Sequence, residues 1–252
     1  MTVSDLEASL IEGDYIETVE GLFFAVKGVH HPPDLVIAYL RYAPDPDGER
    51  ERNGHRYRRL YHLDQTTKFL KKDYTQYLNS IERKALILQS VPRDRIARAY
   101  RPRERLVELL SEPRTAVEQT TAKFVKTLIK SDIPLEDLGG SGSTLIGVAQ
   151  PDSDVDIVAY GAETGRSVYE ALTGLREKEA WIRPYDKESV RTVARSRWGD
   201  TGLDLEWMGE IEARKVLHGL VDGRDYFVRL VLKPDEFAEE LASQPLGRVE
   251  LR

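Results

Sequence analysis

The chain has 252 residues, 40% hydrophobic and 32% charged, with a formal net charge of −6, which allows two modest domains or one large one and argues against general nucleic-acid coating while leaving a local basic groove open. There is no cysteine, so disulfides, thiolate zinc sites and cysteine nucleophiles are excluded. No run of about 18 apolar residues occurs, and the opening MTVSDLEASLIEGDY lacks a basic start and an apolar core, so no membrane partner and no signal peptide are expected and a cytoplasmic protein is.

Residues 1–90 read as a β-rich N-terminal domain. Asp14–Val19 alternates, Glu20-Gly21 turns, and Leu22–Gly28 is an apolar run. His30-His31 precede Pro32-Pro33 and, with no third ligand at metal spacing, read as turn residues rather than a zinc site. A strand follows at LVIAYLRYA from Leu35. Pro44–Gly54 is polar and reads as a loop at a hairpin tip, and His55–His62 returns as a strand with Tyr57, Arg59 and Tyr61 on one face. Arg50, Arg52, Arg56, Arg58 and Arg59, interleaved with tyrosines, have the composition of a polynucleotide-binding patch. Glu49 and Glu51 dilute the cluster, and a solvated tip is the preferred reading. Asp64–Ser80 is expected to be a helix and Ala85–Gln89 a strand.

Residues 91–252 read as a helical connector leading into an α+β domain. Helices are expected over Arg93–Ala99, Arg103–Ser111 and Arg114–Ser131, with Pro102 as a boundary. Thr164–Lys178, Lys187–Trp198 and Leu205–Lys215 continue the helical pattern. Asp222-Gly223 between apolar runs predicts a hairpin of Val216–Val221 with Asp225–Leu232. The ending RVELR, Arg248–Arg252, is strand-like.

The stretch with chemistry in it is Gly142–Asp156, GSTLIGVAQPDSDVD, preceded by LEDLGGS. Its glycines permit a tight turn. Asp154–Tyr160 reads as a strand on which Asp154 and Asp156 project together while Val155 and Ile157 point into a core. Paired carboxylates repel unless a cation or hydrogen bonds compensate, and a hard divalent ion is the natural partner. A glycine-rich turn offers backbone N–H groups to phosphate oxygens. Together these are the equipment for phosphoryl or nucleotidyl transfer.

The pattern G-S-x-x-x-G-x-x-x-P-D-S-D-V-D resembles the signature of the DNA polymerase β-like nucleotidyltransferase superfamily, most closely its minimal prokaryotic members. The resemblance implies a nucleotidyltransferase-type mixed β-sheet flanked by helices, here preceded by the small β-rich domain. It implies Mg²⁺ as cofactor with a two-metal site held by Asp154 and Asp156, an NTP as partner, and a Gly142–Ser143 turn that holds its phosphates. Minimal members often carry an arginine just before the second glycine of the motif, where this chain has Ile146. Ser153, within the motif, and Arg229, a charge in the middle of an apolar strand, join the candidate nucleotide-binding residues. Arg229 reads equally as an ion-pair partner of Asp225. The resemblance implies a third catalytic carboxylate on a later strand; Asp225 is the favoured candidate, with Asp204 and Glu206 as the other choice.

The expected function is transfer of an NMP from an NTP to an acceptor hydroxyl. Protein, RNA and small-molecule acceptors all stay open, and the sequence assigns no oligomeric state. Two alternatives are a non-catalytic nucleotide-binding regulator or antitoxin-like protein on the same fold, and an RNA-binding protein acting through the N-terminal domain. NTP binding is expected to depend on the aspartate pair through metal, and not on the N-terminal arginines.

Overall fold

Two separate sheets form in the computed structural model, which describes residues 10–81, 86–199 and 201–241. Ala85, where the sequence opens a strand, and the ending Arg248–Arg252 lie outside the described residues. The fold is α+β.

The first sheet is antiparallel throughout. β1 (Tyr15–Thr18), β2 (Phe23–Val26) and β3 (Leu35–Pro44) follow the alternation expected of them. In β3 the residues Val36, Ala38 and Leu40 enter one apolar core together with Phe24, Leu70 and Tyr77. The loop expected over Pro44–Gly54 contains a further strand, β4 (Arg50–Arg52), paired with β5 (His55–Arg59). Asn53 and Gly54 turn between them with φ of 51° and 77°, the left-handed pair that a tight hairpin requires.

Two helical expectations give way to strand pairing. The helix expected over Asp64–Ser80 is α1 (Leu63–Asp73), which stops at Tyr74 with φ −141°. A 3₁₀ turn at Thr75–Tyr77 follows, then β6 (Leu78–Ile81), which pairs with β7 (Leu86–Pro92). Tyr77 is fully buried with its ring 5.1 Å from Phe24, a contact that a continued helix would not make. Arg93–Ala99 is a 3₁₀ turn (Arg93–Arg95) and a strand, β8 (Ile96–Tyr100), which pairs with β1. Hydrogen bonds along the open edge of β1 outweigh the weak local helical preference. The boundary placed at residue 90 therefore falls within β7, and the first sheet runs on to Tyr100.

The second sheet has the order β11-β12-β13-β10-β9, where β9 is Leu138–Gly140, β10 is Val155–Tyr160, β11 is Ile182–Arg183, β12 is His218–Val221 and β13 is Arg224–Val231. The expected hairpin is present, with Asp222 at φ 48° and Gly223 at φ 78°. The central strands β10 and β13 run parallel, Val155 beside Tyr226 and Ile157 beside Val228. One face of this sheet packs on helices α2 (Pro102–Ser111), α3 (Ala116–Ile129) and α5 (Ala162–Lys178) through Leu106, Phe124, Leu128, Val168 and Leu172. A reciprocal capping box between Thr115 and Glu118 opens α3. Between β9 and β10 lies the short helix α4 (Gly142–Leu145), and α6 (Lys187–Trp198) and α7 (Leu205–Arg214) form a helical pair between β11 and β12. α8 (Pro234–Leu241) ends the described part.

The other face of the second sheet meets the N-terminal unit. Val158, Tyr160 and Val231 pack on Ile11, and Tyr15, Phe23, Tyr42, Tyr57 and Tyr100 pack on Leu145, Ile146 and Val148. Among the described residues no helix is long and apolar enough to cross a membrane.

Phe124 is fully buried in the helical core, whereas Val107 on α2 is 60% exposed. Phe124→Ala is expected to lower the unfolding free energy by about 3–5 kcal/mol, and Val107→Ala by about 0.5 kcal/mol or less. Urea denaturation of both variants checks the assignment of faces.

Candidate functional site

A cleft of about 430 Å³ lies between the two sheets, and both Asp154 and Asp156 line it. Asp156 is the second residue of β10, and Asp154 stands one residue before that strand. Alternation along β10 sends Val155, Ile157 and Ala159 into the helical core and leaves Asp156 and Val158 toward the N-terminal unit. β13 continues the same face: Phe227 stands beside Asp156 and Arg229 beside Val158. Extended by two residues, this register sets Asp225 beside Asp154.

Gly142 makes the approach to Asp156 possible. It adopts φ +62°, and a Cβ at that position would overlap the Asp156 carboxylate. The Ser141 N–H donates to the Asp156 carbonyl at 2.9 Å, which ties the turn to the strand. Ser143 is buried and also lines the cleft. Ser153 lines it too, but its hydroxyl is engaged, accepting from the Gln150 N–H at 2.8 Å and from Arg50 at 3.0 Å. These two bonds hold the loop and leave the hydroxyl's own O–H to donate. Ile146 is 1% exposed in the tyrosine cluster between the units, so the position that carries an arginine in the motif packs the two halves together.

The carboxylates carry the electrostatic cost of this arrangement. Burial, and then the neighbouring Asp156 and Asp225, push Asp154 up to about 6, against the pull of Arg59 and Arg50. Burial raises Asp156 as well, against Arg229, Arg59 and Arg41. Arg229 lines the cleft and donates to Glu12 at 2.6 Å, and the same Glu12 oxygen takes Lys27 at 3.2 Å. Burial alone would raise Glu12, but Lys27 and Arg229 hold it below its ordinary value. Arg229 therefore pairs with Glu12, a partner the sequence did not single out, and not with Asp225.

Asp225 does not complete a metal cluster. Among the described residues no group of three or more histidine, cysteine or carboxylate side chains is placed to hold a metal ion. Asp225 is exposed and lines a second space of about 260 Å³, which shares Arg59, Tyr61, Ser153 and Asp154 with the main cleft. Asp204 and Glu206 are not in an extended segment. Asp204 caps α7, accepting from the N–H groups of Glu206 and Trp207. His31 lies in a loop, one ring nitrogen within 2.8 Å of the Leu10 carbonyl and the other accepting from the Ile37 N–H at 3.2 Å.

The arginine cluster divides. Arg58 pairs with Asp45, Arg56 donates to the Gly48 carbonyl, and Arg52 donates to the Tyr100 hydroxyl. Arg50 is buried against Ser153 and the Val148 carbonyl. Arg59 lines the cleft, so the reading of a wholly solvated hairpin tip does not hold for it. Arg41, Lys27 and Tyr39 also line the cleft and were not foreseen. The signal for Arg41 was available, since a charge within LVIAYLRYA needs a partner or a wet cleft as much as Arg229 does.

The geometry defines a class: an α+β protein of two sheets with a carboxylate pair on one wall of the cleft between them and arginines on the other. The chain belongs to the same family as the uncharacterized protein MJ1086 of Methanocaldococcus jannaschii, with which it is 30% identical over 237 residues, 90% of this chain and 69% of that protein. No protein-family model matches the chain. No solved structure matches it either.

Asp154 titrates near 6 in the folded chain and near its ordinary 3.8 when unfolded. In that window the folded state holds more protons, so the carboxyl's contribution to stability falls as pH rises from about 4 to 6. In metal-free protein, Asp154→Asn is expected to flatten part of this fall and to raise the melting temperature at pH 8. Asp14, also raised to about 6 by burial, keeps its own share of the slope. Thermal melts across pH 4–8 decide it; an asparagine variant no more stable than wild type at pH 8 would contradict the electrostatic account.

Proposed function

We propose that this protein is a metal-dependent nucleotidyltransferase that moves an NMP from an NTP to an acceptor hydroxyl and releases pyrophosphate. The observation that carries the reading is the placement of Asp154 and Asp156 in one cleft, with Gly142 stripped of a side chain where Asp156 approaches it. The order of glycine strand β9, turn, carboxylate strand β10 and helix α5 supports a nucleotidyltransferase-type sheet. A cytoplasmic setting, where nucleotides are available, accords with it.

The donor set fits Mg²⁺. That ion is held by one or two carboxylates, with phosphate oxygens and water as its other ligands, so a third protein ligand is not required. Asp154 and Asp156 would hold it, and when bound it would supply the positive charge that offsets the charge developing on the phosphates. The Gly142–Ser143 backbone would position the terminal phosphates through neutral N–H donors. Asp225, beside Asp154, is the carboxylate available to accept the acceptor's proton.

A second reading, a nucleotide-binding regulator without transfer activity, draws support from the lack of a three-carboxylate cluster among the described residues. Transfer of labelled NMP, measured beside calorimetric titration of Mg-NTP, separates the two. Asp154→Asn and Asp156→Asn are each expected to slow transfer on the order of 100-fold or more, and together to abolish it. Arg56→Ala with Arg58→Ala, both directed away from the cleft, should leave NTP binding unchanged. Transfer by the double asparagine variant at the wild-type rate would place the chemistry elsewhere. Tight Mg-NTP binding with no transfer to protein, RNA or small hydroxyl acceptors would favour the regulator.

A further inference from the structure

A β-bulge arms the N-terminal wall of the cleft. Phe23 stands opposite Tyr42 and Phe24 opposite Leu40, so Arg41 is the extra residue of β3. Strict alternation would turn Tyr42 to the face opposite Arg41. With the bulge, Tyr39, Arg41 and Tyr42 all line the cleft, while Leu40 and Ala43 enter the core. Bulges recur beside functional sites because they re-aim side chains in this way. Arg59 stands opposite Tyr42 on the neighbouring strand β5 and reaches the same cleft. Two guanidinium groups thus enter the cleft from paired strands.

Among the described residues Arg41 and Arg59 form no ion pair, whereas Lys27 and Arg229 share Glu12 and Arg58 meets Asp45. Arg59 donates to the Tyr61 hydroxyl at 2.8 Å with its guanidinium 4.2 Å from that ring's centre, and its Nε is buried without an acceptor. Arg41 lies 5.3 Å from the same ring centre, and its charge acts on the buried Tyr15 hydroxyl. An unmet buried N–H and two neighbouring like charges are both costly. One anion with several acceptor oxygens relieves both costs. Asp154 and Asp156 attract the arginines across the cleft without closing an ion pair, so ligand-sized space remains between the walls.

We infer that Arg41 and Arg59 form a phosphate-binding pair, contributed by the N-terminal sheet, facing Asp154 and Asp156 across the cleft. Two forked donors suit a phosphate, which offers more oxygens and more charge than a carboxylate. The inference deepens the transferase reading by stating what the first sheet recognises, and its test does not depend on transfer. The phosphate belongs either to the nucleotide or to a phosphorylated acceptor.

Calorimetric titration of the full chain in EDTA provides the test, with inorganic pyrophosphate, ATP, and a 5′-phosphorylated oligoribonucleotide beside its 5′-hydroxyl twin as probes. Wild type is expected to bind at least one phosphate-bearing probe without metal. Arg41→Gln with Arg59→Gln should weaken that binding roughly 10- to 100-fold, the scale of lost charged hydrogen bonds. Arg58→Gln should not change it. Asp154→Asn with Asp156→Asn should tighten it, because two negative charges leave the cleft. A loss shared by pyrophosphate and ATP assigns the phosphate to the nucleotide; a loss confined to the 5′-phosphorylated strand assigns it to the acceptor. Either supports the pair. If the glutamine pair does not fold, Arg41→Lys and Arg59→Lys carry the test singly, each keeping the charge while losing the fork and weakening binding. The inference is overturned if wild type binds none of the probes, or if the folded variants bind them as wild type does. Failure of the transferase reading looks different: phosphate binding intact and no labelled product.

Discussion

Asp154 and Asp156 bring two like charges into one partly enclosed cleft, and much of the surrounding structure offsets that cost. Burial raises both carboxyls, and for Asp154 the charges of Asp156 and Asp225 add to it. Gly142 gives up a side chain so that the Asp156 carboxylate can occupy its place. β10 sits between β9 and β13, so the strand that carries Asp156 is hydrogen-bonded on both edges and cannot swing away. A fold selected only for stability would place apolar or neutral groups here. A cation at the pair, as proposed above, would supply the compensating charge.

The N-terminal unit is part of the same device. It supplies one wall of the cleft and is fastened to the loop that leads into the aspartate strand. Arg50 crosses from β4 to the Ser153 hydroxyl, Ile146 and Leu145 enter the tyrosine cluster, and Gly13, at φ +104°, packs on Val158. Asp14 is nearly fully buried and pairs with Arg101 at the junction between the units. These contacts set the distance between the arginines of β3 and β5 and the carboxylates beside and within β10. Glu12 ties Lys27 of the first unit to Arg229 of the second and so offsets one of the positive charges that these two of the four cations bring to the cleft. Arg41 and Arg59 form no ion pair among the described residues, which is the basis for assigning them a phosphate.

Local sequence revealed the parts whose chemistry is local. The Asp-Gly hairpin, the β10 strand and helices α2, α3 and α5 could be read because turn residues, period-2 alternation and helical spacing each act over a few neighbours. The aspartate pair was legible for the same reason, since it depends on spacing within one segment. β8 was not, because its strand character comes from pairing with β1, about eighty residues away in sequence. The end of α1 was set by Tyr77 reaching a distant core. Asn53-Gly54 was a hairpin signal within a segment read as loop. Arg41 could be recognised as anomalous, but its aim depends on a bulge that only the pairing of β2 with β3 creates. Glu12 gave no signal, as its partner Arg229 is more than two hundred residues further along the chain.

The central claim is that the aspartate wall takes a cation and the facing walls take phosphate. A crystal structure with Mg²⁺ and a non-hydrolysable NTP tests it most directly. The account predicts a cation bound by both Asp154 and Asp156, bridging to phosphate oxygens in the cleft between the two sheets. A nucleotide bound outside that cleft, or a cleft left empty at saturating Mg-NTP, would contradict it.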